Sequence, residues 1–135
     1  MVLALGDEKV HLLPVDGAFS SRDLVVFFEK RRVLMLGGLF YNELHPPLNS
    51  QRGLSAKKWV RFLRNLSSQF PEEIKTLVPH EGDLCGIGKV ESFVSYLEKL
   101  SDPSVEFAQC RKVFDWKEIP SHTSLEENFD FLRSR

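Results

Sequence analysis

Cysteine is scarce in this chain of 135 residues, which contains only Cys85 and Cys110. The two are not spaced as metal ligands are, so a cysteine-based metal site is excluded. The sequence also lacks a secretory signal and any apolar run long enough to span a membrane. We therefore expect a cytoplasmic protein with reduced thiols.

An excess of charge of either sign is also missing. The chain has 18 Lys and Arg against 19 Asp and Glu, which gives a formal net charge of -1. Because basic and acidic residues are interleaved, we expect neither nucleic acid nor an acidic membrane as a partner. Hydrophobic residues make up 42% and charged residues 27%, so disorder and fibrous repeats are excluded. The length fits one domain, residues 1–135.

Two apolar runs in the first third of the chain predict a β-hairpin. Residues 24–28 and 33–36 are apolar, and the charged segment 29–32 separates them. Such a connector stays solvated while the flanking runs pair. A further strand is expected around residues 10–13. Because the runs are apolar at nearly every position, we expect another layer on each face of the sheet.

Helical periodicity begins after Gly37-Gly38 and the loop through Pro46-Pro47. A helix is predicted to start near Ser55, because apolar residues recur at helical spacing at Trp59, Phe62, Leu63 and Leu66. Its basic residues are expected to form a solvated helix face, namely Lys57, Lys58, Arg61 and Arg64. A short strand over 74–78 is predicted to end in the loop 79–83, before a second helix over 90–100. Ser124 and Glu127 indicate a capping box for a last helix. Strands followed by helix, strand and helix predict an α/β domain with helices over a mixed sheet.

Three segments in this order resemble the second half of the metallo-β-lactamase fold. They are residues 16–28, residues 32–40, and residues 76–83 with the helix that follows. Asn42 and His45-Pro46 are similar to residues of the hydrolase and glyoxalase-like branches. The resemblance covers residues 8–133 and implies half of an αββα sandwich, a mixed β-sheet with a hairpin covered by helices.

The same resemblance implies that the metal site of the family has degenerated. Its metal-binding His falls on Phe19, its bridging Asp on Gly38 and its final His on Glu81, and its motif His-x-His-x-Asp-His is absent. A catalytic zinc or iron needs several converging imidazole and carboxylate ligands. Phe19 and Gly38 carry no donor, and Glu81 alone is not enough. We therefore expect no metal centre and no cofactor.

Other candidate sites are weaker. The four histidines, His11, His45, His80 and His122, would have to be assembled by the fold to bind a metal. His80 and Glu81 lie at a strand end, where α/β folds place chemistry. They define the rival interpretation, a residual or repurposed zinc- or iron-dependent hydrolase in which Glu81 is base or ligand and His45 assists. His45 before Pro46 is otherwise a loop anchor.

Glycine, cysteine and aromatic residues have simpler interpretations. Gly82, Gly86 and Gly88 match no phosphate-binding fingerprint and are expected to serve turns. The two cysteines are expected to be small apolar residues, and Trp59 and Phe62 belong to the core.

Half of a sandwich also implies a partner. If helices cover one side of the sheet, an apolar face is left that monomers rarely expose. We expect a homodimer in which this face packs on its own copy, with a separately encoded N-terminal half as the alternative partner. The sequence thus predicts a pseudoenzyme, either a binding or regulatory module or the product of a truncated gene. The opening Met-Val-Leu-Ala-Leu favours a natural start.

Overall fold

The strands of this protein form one mixed sheet. A computed structural model describes residues 1–48, 53–70, 72–119 and 122–134. Across these ranges the sheet has five strands in chain order, β1 (Val2–Leu5), β2 (Glu8–Val15), β3 (Asp23–Phe28), β4 (Val33–Tyr41) and β5 (Thr76–Glu81). The pairs from β1 to β4 are antiparallel, and β5 joins β4 in parallel. The mixed sheet predicted from the sequence is confirmed.

The predicted hairpin is the pair β3 and β4, with Phe28 opposite Val33 and Val26 opposite Met35. Its turn occupies the charged residues 29–32, and Arg32 adopts a positive φ of 54°. The backbone carbonyl of Arg32 accepts from the N–H groups of Lys75 and Thr76 at 2.9 and 3.2 Å. The turn therefore also fixes where β5 begins.

Two strands are longer than expected, since β4 continues beyond Leu36 and β5 continues into the predicted loop 79–83. Gly37 and Gly38 lie inside β4, and residues 79–81 continue β5. The β4–β5 register shifts on both sides of the Gly37–Pro79 pair. Irregular pairing of this kind tolerates a proline and a glycine, because the ladder is already interrupted there. With this irregular pairing, β4 continues to Tyr41 and β5 continues to Glu81.

The helices are α1 (Ala56–Arg64), α2 (Val90–Ser101), α3 (Phe107–Val113) and α4 (Leu125–Arg133). Ser55 caps α1 by accepting from the N–H of Lys58, and the predicted Ser124–Glu127 capping box is present at α4. A 3-10 helix, Ile87–Lys89, precedes α2. Helix α3 was not predicted, since its capping box uses Glu106 and Gln109 rather than the usual Ser or Thr. None of the helices in the described ranges has the length and apolarity that crossing a bilayer requires.

The core lies on one face of the sheet. Phe27, Leu34 and Leu77 are fully buried there against the helices, in one cluster with Trp59 and Phe93. The sequence predicted a covering layer on each face of the sheet. Within the described part of the chain, the helices cover one face only. The opposite side we call the open face, and it carries Glu8, Pro14 and Thr76. It also carries ten hydrophobic residues, of which Val10 is only 4% exposed, namely Leu3, Leu5, Val10, Leu12, Leu24, Val26, Phe28, Val33, Met35 and Val78. These ten residues are not part of the helix-covered core cluster.

Candidate functional site

Phe19 and Gly38, to which the resemblance assigns a histidine and an aspartate, are in direct contact. A Cβ atom on residue 38 would lie 2.5 Å from Cδ1 and 2.6 Å from Cε1 of Phe19. The phenyl ring therefore fills the space that a side chain at position 38 would need. The Phe19 ring also packs on Tyr41 and Trp59, with centroid distances of 6.0 and 5.1 Å. This contact, which we call the aromatic plug, is apolar and only 7% exposed at Phe19.

The loop that carries Phe19 is held by the carboxylate of Asp23. One oxygen of Asp23 accepts from the backbone N–H groups of Phe19 and Ser20, each at 3.0 Å. The other accepts from the Ser20 hydroxyl at 2.8 Å. Both carboxylate oxygens are thus engaged in shaping the loop that inserts the ring.

Glu81 pairs with His122. Its Oε1 lies 3.0 Å from Nε2 of His122, and Nδ1 of the same ring lies 3.0 Å from the carbonyl oxygen of His45. Both neighbours of the ring are hydrogen-bond acceptors. In the sequence Glu81 directly follows His80, and His122 is one of four histidines that lie far apart. No local signal identifies this pair, because β5 and the loop before α4 are distant in sequence.

Tyr41 lies between these groups. Its ring is 5.3 Å from His80 and 5.8 Å from His122, and the side chain is 1% exposed. Burial raises the pKa of Tyr41 far above its usual value, and the negative charges of Glu81 and Asp23 add to the effect. The phenol therefore stays protonated. His80 is exposed beside it.

His45 lies in a separate buried network. Its Nδ1 is 3.2 Å from the Tyr96 hydroxyl, and its Nε2 is 3.2 Å from the carbonyl oxygen of Trp116. Asn128 donates to the Tyr96 oxygen at 2.9 Å. The Tyr96 hydroxyl is therefore free to donate to Nδ1, and the Nε2–H of a neutral His45 donates to Trp116. Both ring nitrogens are engaged, which suits a loop anchor and leaves no lone pair for a metal.

This network predicts a loss of stability in acid. Burial lowers the pKa of His45 below 6.5, against the opposing effects of the Trp116 carbonyl and the charge of Glu118. Above about pH 6.5 the full contribution is present, and it is lost as the pH falls, because the unfolded chain takes up the proton first. Between about pH 7.5 and about 5.5, urea unfolding of the wild type should lose on the order of 1 kcal/mol more than His45→Gln does. Equal losses in the two proteins would contradict this assignment.

The other candidate residues have structural roles. His11 pairs with Glu29, Nε2 to Oε2, at 2.5 Å. Gly82 has a φ of 105°, and a Cβ there would lie 2.6 Å from the backbone oxygen of Asn42, so this turn needs glycine. Burial raises the pKa of both Cys85 and Cys110, which keeps them as thiols.

The residues present do not fit the metal centre that the resemblance implies. Phe19 and Gly38 offer no donor, Glu81 is paired with His122, and both nitrogens of His45 are bonded. Within the described ranges no three His, Cys, Asp or Glu side chains converge as metal ligands would. His80 and Glu81 are neighbours in the sequence, but the structure does not bring His45 to them as a third ligand.

Comparison with known proteins addresses the fold. No protein-family model and no curated protein sequence matches the chain. Among solved structures, a metallo-β-lactamase from Pontibacter korlensis is similar with a TM-score of 0.62 and 19% identity, over 73% of this chain and 45% of that chain. The stereoselective inverting sec-alkylsulfatase Pisa1 from Pseudomonas sp. is similar with a TM-score of 0.59 and 11% identity, over 100% of this chain and 25% of that chain.

These similarities define the class of fold. The mixed five-stranded sheet with its helices is an α/β fold like that of metallo-β-lactamases. The predicted fold class is therefore confirmed. The chain matches less than half of the length of either structure.

Proposed function

We propose that this protein is a non-catalytic binding or regulatory module on a metallo-β-lactamase-like fold. The observation that carries the proposal is the aromatic plug, since the Phe19 ring occupies the room of any side chain at position 38. A metal-activated water needs an open coordination position and several ligands around it. Here the corresponding space holds carbon atoms.

The engagement of Glu81 supports the same proposal. A general base or metal ligand needs an available lone pair in reach of substrate. One oxygen of the Glu81 carboxylate, Oε1, is paired with His122, which also bonds to the His45 carbonyl and so ties the loop before α4 to β5. This pair acts as a structural clamp.

The surface available for binding is the open face. Leu24 is 52% exposed, Met35 42% and Leu3 43%, and each lies on a different strand of the sheet. Apolar side chains gathered on one flat surface mark an interaction site more often than single exposed residues do. The module therefore acts through its sheet.

Metal analysis tests the non-catalytic assignment. Protein purified without chelator and then dialysed should contain far less than one zinc, iron or manganese ion per chain, and its melting temperature should not change in EDTA. The reason is that binding of a metal to the folded state alone would raise the melting temperature. Stoichiometric metal, or destabilisation by EDTA, would instead support the hydrolase of His80 and Glu81.

Glu81→Gln is the matched variant for this test. In a module it should lower the free energy of unfolding by about 1 kcal/mol or less, since the Glu81 side chain is 35% exposed. In a metal-dependent hydrolase the same change would remove metal or hydrolytic activity. Metal content and unfolding free energy measured on both proteins separate these outcomes.

A further inference from the structure

We infer that a cavity between α3, the start of α4 and the segment 114–118 binds a small organic cation, an amine or a quaternary ammonium compound. We call it the α3–α4 cavity. Its volume is about 470 Å³, which lies in the range of known small-molecule sites. None of its lining residues belongs to the sheet, so this site is separate from the open face and goes beyond the proposed function.

Aromatic side chains line the α3–α4 cavity, namely Phe107, Phe114 and Trp116. The rings of Phe114 and Trp116 have a centroid distance of 5.2 Å and an interplanar angle of 65°, so they form two walls of a corner. Tyr96 stacks on Trp116 at 5.0 Å, and Phe129 packs on Phe107 at 5.3 Å, which holds both rings in place. Phe107 and Trp116 are only half-buried and keep part of their surface open. Aromatic rings attract cations through their negative faces.

The charged side chains that line the α3–α4 cavity are mostly acidic. Asp115, Glu118 and Glu126 are exposed there, and Arg111 is the one cation among the described lining residues. None of these four forms an ion pair within the part of the chain that the structure describes. The cavity therefore has an excess of two negative charges. Carboxylates beside aromatic walls suit an organic cation, because the ligand meets both attractions together.

An anion is the alternative ligand, because the cavity includes the N-terminus of α4. That terminus carries a partial positive charge of only about half a unit, which is smaller than the excess of negative charge. Its N–H groups are also engaged, since Ser124 and Glu127 bond reciprocally at 2.9 and 3.2 Å. His45 adds no positive charge at neutral pH, because burial lowers its pKa. The charge of Glu118 acts on His45, so this carboxylate also faces the buried side of the cavity.

Titration of ¹⁵N-labelled protein with benzyltrimethylammonium, followed by NMR, tests the inference. The chain has two tryptophans, which give two indole N–H signals. Trp116 lines the cavity, whereas Trp59 is fully buried and donates its indole N–H to the carbonyl of Leu39 at 2.8 Å. The Trp116 signal should shift saturably, with a dissociation constant on the order of 1 mM, and the Trp59 signal should stay in place.

Two other compounds control for the benzyl ring of the probe. Benzyl alcohol carries the same ring without a charge, and phenylacetate carries it with a negative charge. Both should bind at least about 10-fold more weakly than benzyltrimethylammonium, because neither offers a cation to the aromatic rings and the carboxylates.

Variants of the lining residues locate the site. Glu118→Gln changes an exposed position and should raise the dissociation constant about 5-fold. Trp116→Leu should raise it on the order of 10-fold, and Trp116→Phe, which keeps an aromatic ring, should restore most of the affinity. Backbone amide signals of residues 114–118 then replace the lost indole signal. Glu73→Gln removes an exposed carboxylate that does not line the cavity and should bind as the wild type does.

Three results would overturn the inference. They are the absence of a saturable shift at Trp116 up to about 50 mM probe, equal affinity for phenylacetate, and unchanged affinity in Glu118→Gln. The last result is decisive even if Trp116→Leu fails to fold. Metal content decides the non-catalytic assignment separately. A metal-free protein that does not bind the cation would therefore refute this site alone.

Discussion

Gly38→Asp is expected to lower the free energy of unfolding by about 4 kcal/mol, which is enough to unfold much of a small domain. The new Cβ would lie 2.5 Å from the Phe19 ring, and the ring is held by Tyr41 and Trp59. Overpacking of this kind costs about 1–3 kcal/mol, and a carboxylate without a partner among aromatic side chains adds several more. Urea denaturation followed by circular dichroism measures the loss.

Gly38→Ala separates the two contributions, because it adds the clash without the charge and should cost about 1–3 kcal/mol. Gly86→Asp is the matched control, since a Cβ at Gly86 would meet no atom within 4 Å. That control should stay within about 0.5 kcal/mol of the wild type. If both aspartates had equal effects, the aromatic plug would not be what excludes a side chain at position 38.

The contact between Phe19 and Gly38 also decides whether position 38 can hold a metal-binding side chain. The resemblance places an aspartate of the hydrolase family at position 38, yet the ring of Phe19 leaves no room for it. In a Phe19→Leu background, Gly38→Ala should therefore cost less than it does in the wild type, and a double-mutant cycle measures this coupling. Additive effects would mean that the two residues are not in steric conflict.

Asn128→Leu is expected to lower the free energy of unfolding by about 3 kcal/mol, because it removes three buried hydrogen bonds that contribute about 1 kcal/mol each. Asn128 is fully buried, and its Nδ2 donates to the carbonyl of Pro46 at 2.8 Å and to the Tyr96 hydroxyl at 2.9 Å. Its Oδ1 accepts from the hydroxyl of Thr123. Leucine has a similar volume, so the loss reports hydrogen bonds rather than a cavity.

Asp130→Leu controls for helix α4 itself. It replaces an exposed polar residue of the same helix and should stay within about 0.5 kcal/mol of the wild type. Because Asn128 also orients Tyr96 toward His45, its loss should reduce the dependence of stability on pH below about 6.5. An Asn128→Leu protein as stable as Asp130→Leu would show that the network contributes little.

Local patterns predicted much of the secondary structure. The hairpin of β3 and β4 follows from two apolar runs around a charged turn, and α4 follows from Ser124 and Glu127. Strand β1 was not predicted, although Gly6, with a φ of 63°, lies in the short turn that leads to β2 and was a usable signal. The extension of β5 to Glu81 was not predictable, because it depends on irregular pairing with β4.

The candidate site, too, was predictable from the sequence only in part. The sequence by itself determined that positions 19 and 38 carry no metal-binding atom, because the residue type alone fixes which atoms a side chain contains. Only the tertiary structure decided that Phe19 rests on Gly38, that His122 pairs with Glu81 and that, among the described residues, the helices cover one face of the sheet. These contacts join residues distant in sequence, and their energies depend on strand register and helix placement, which no local pattern encodes.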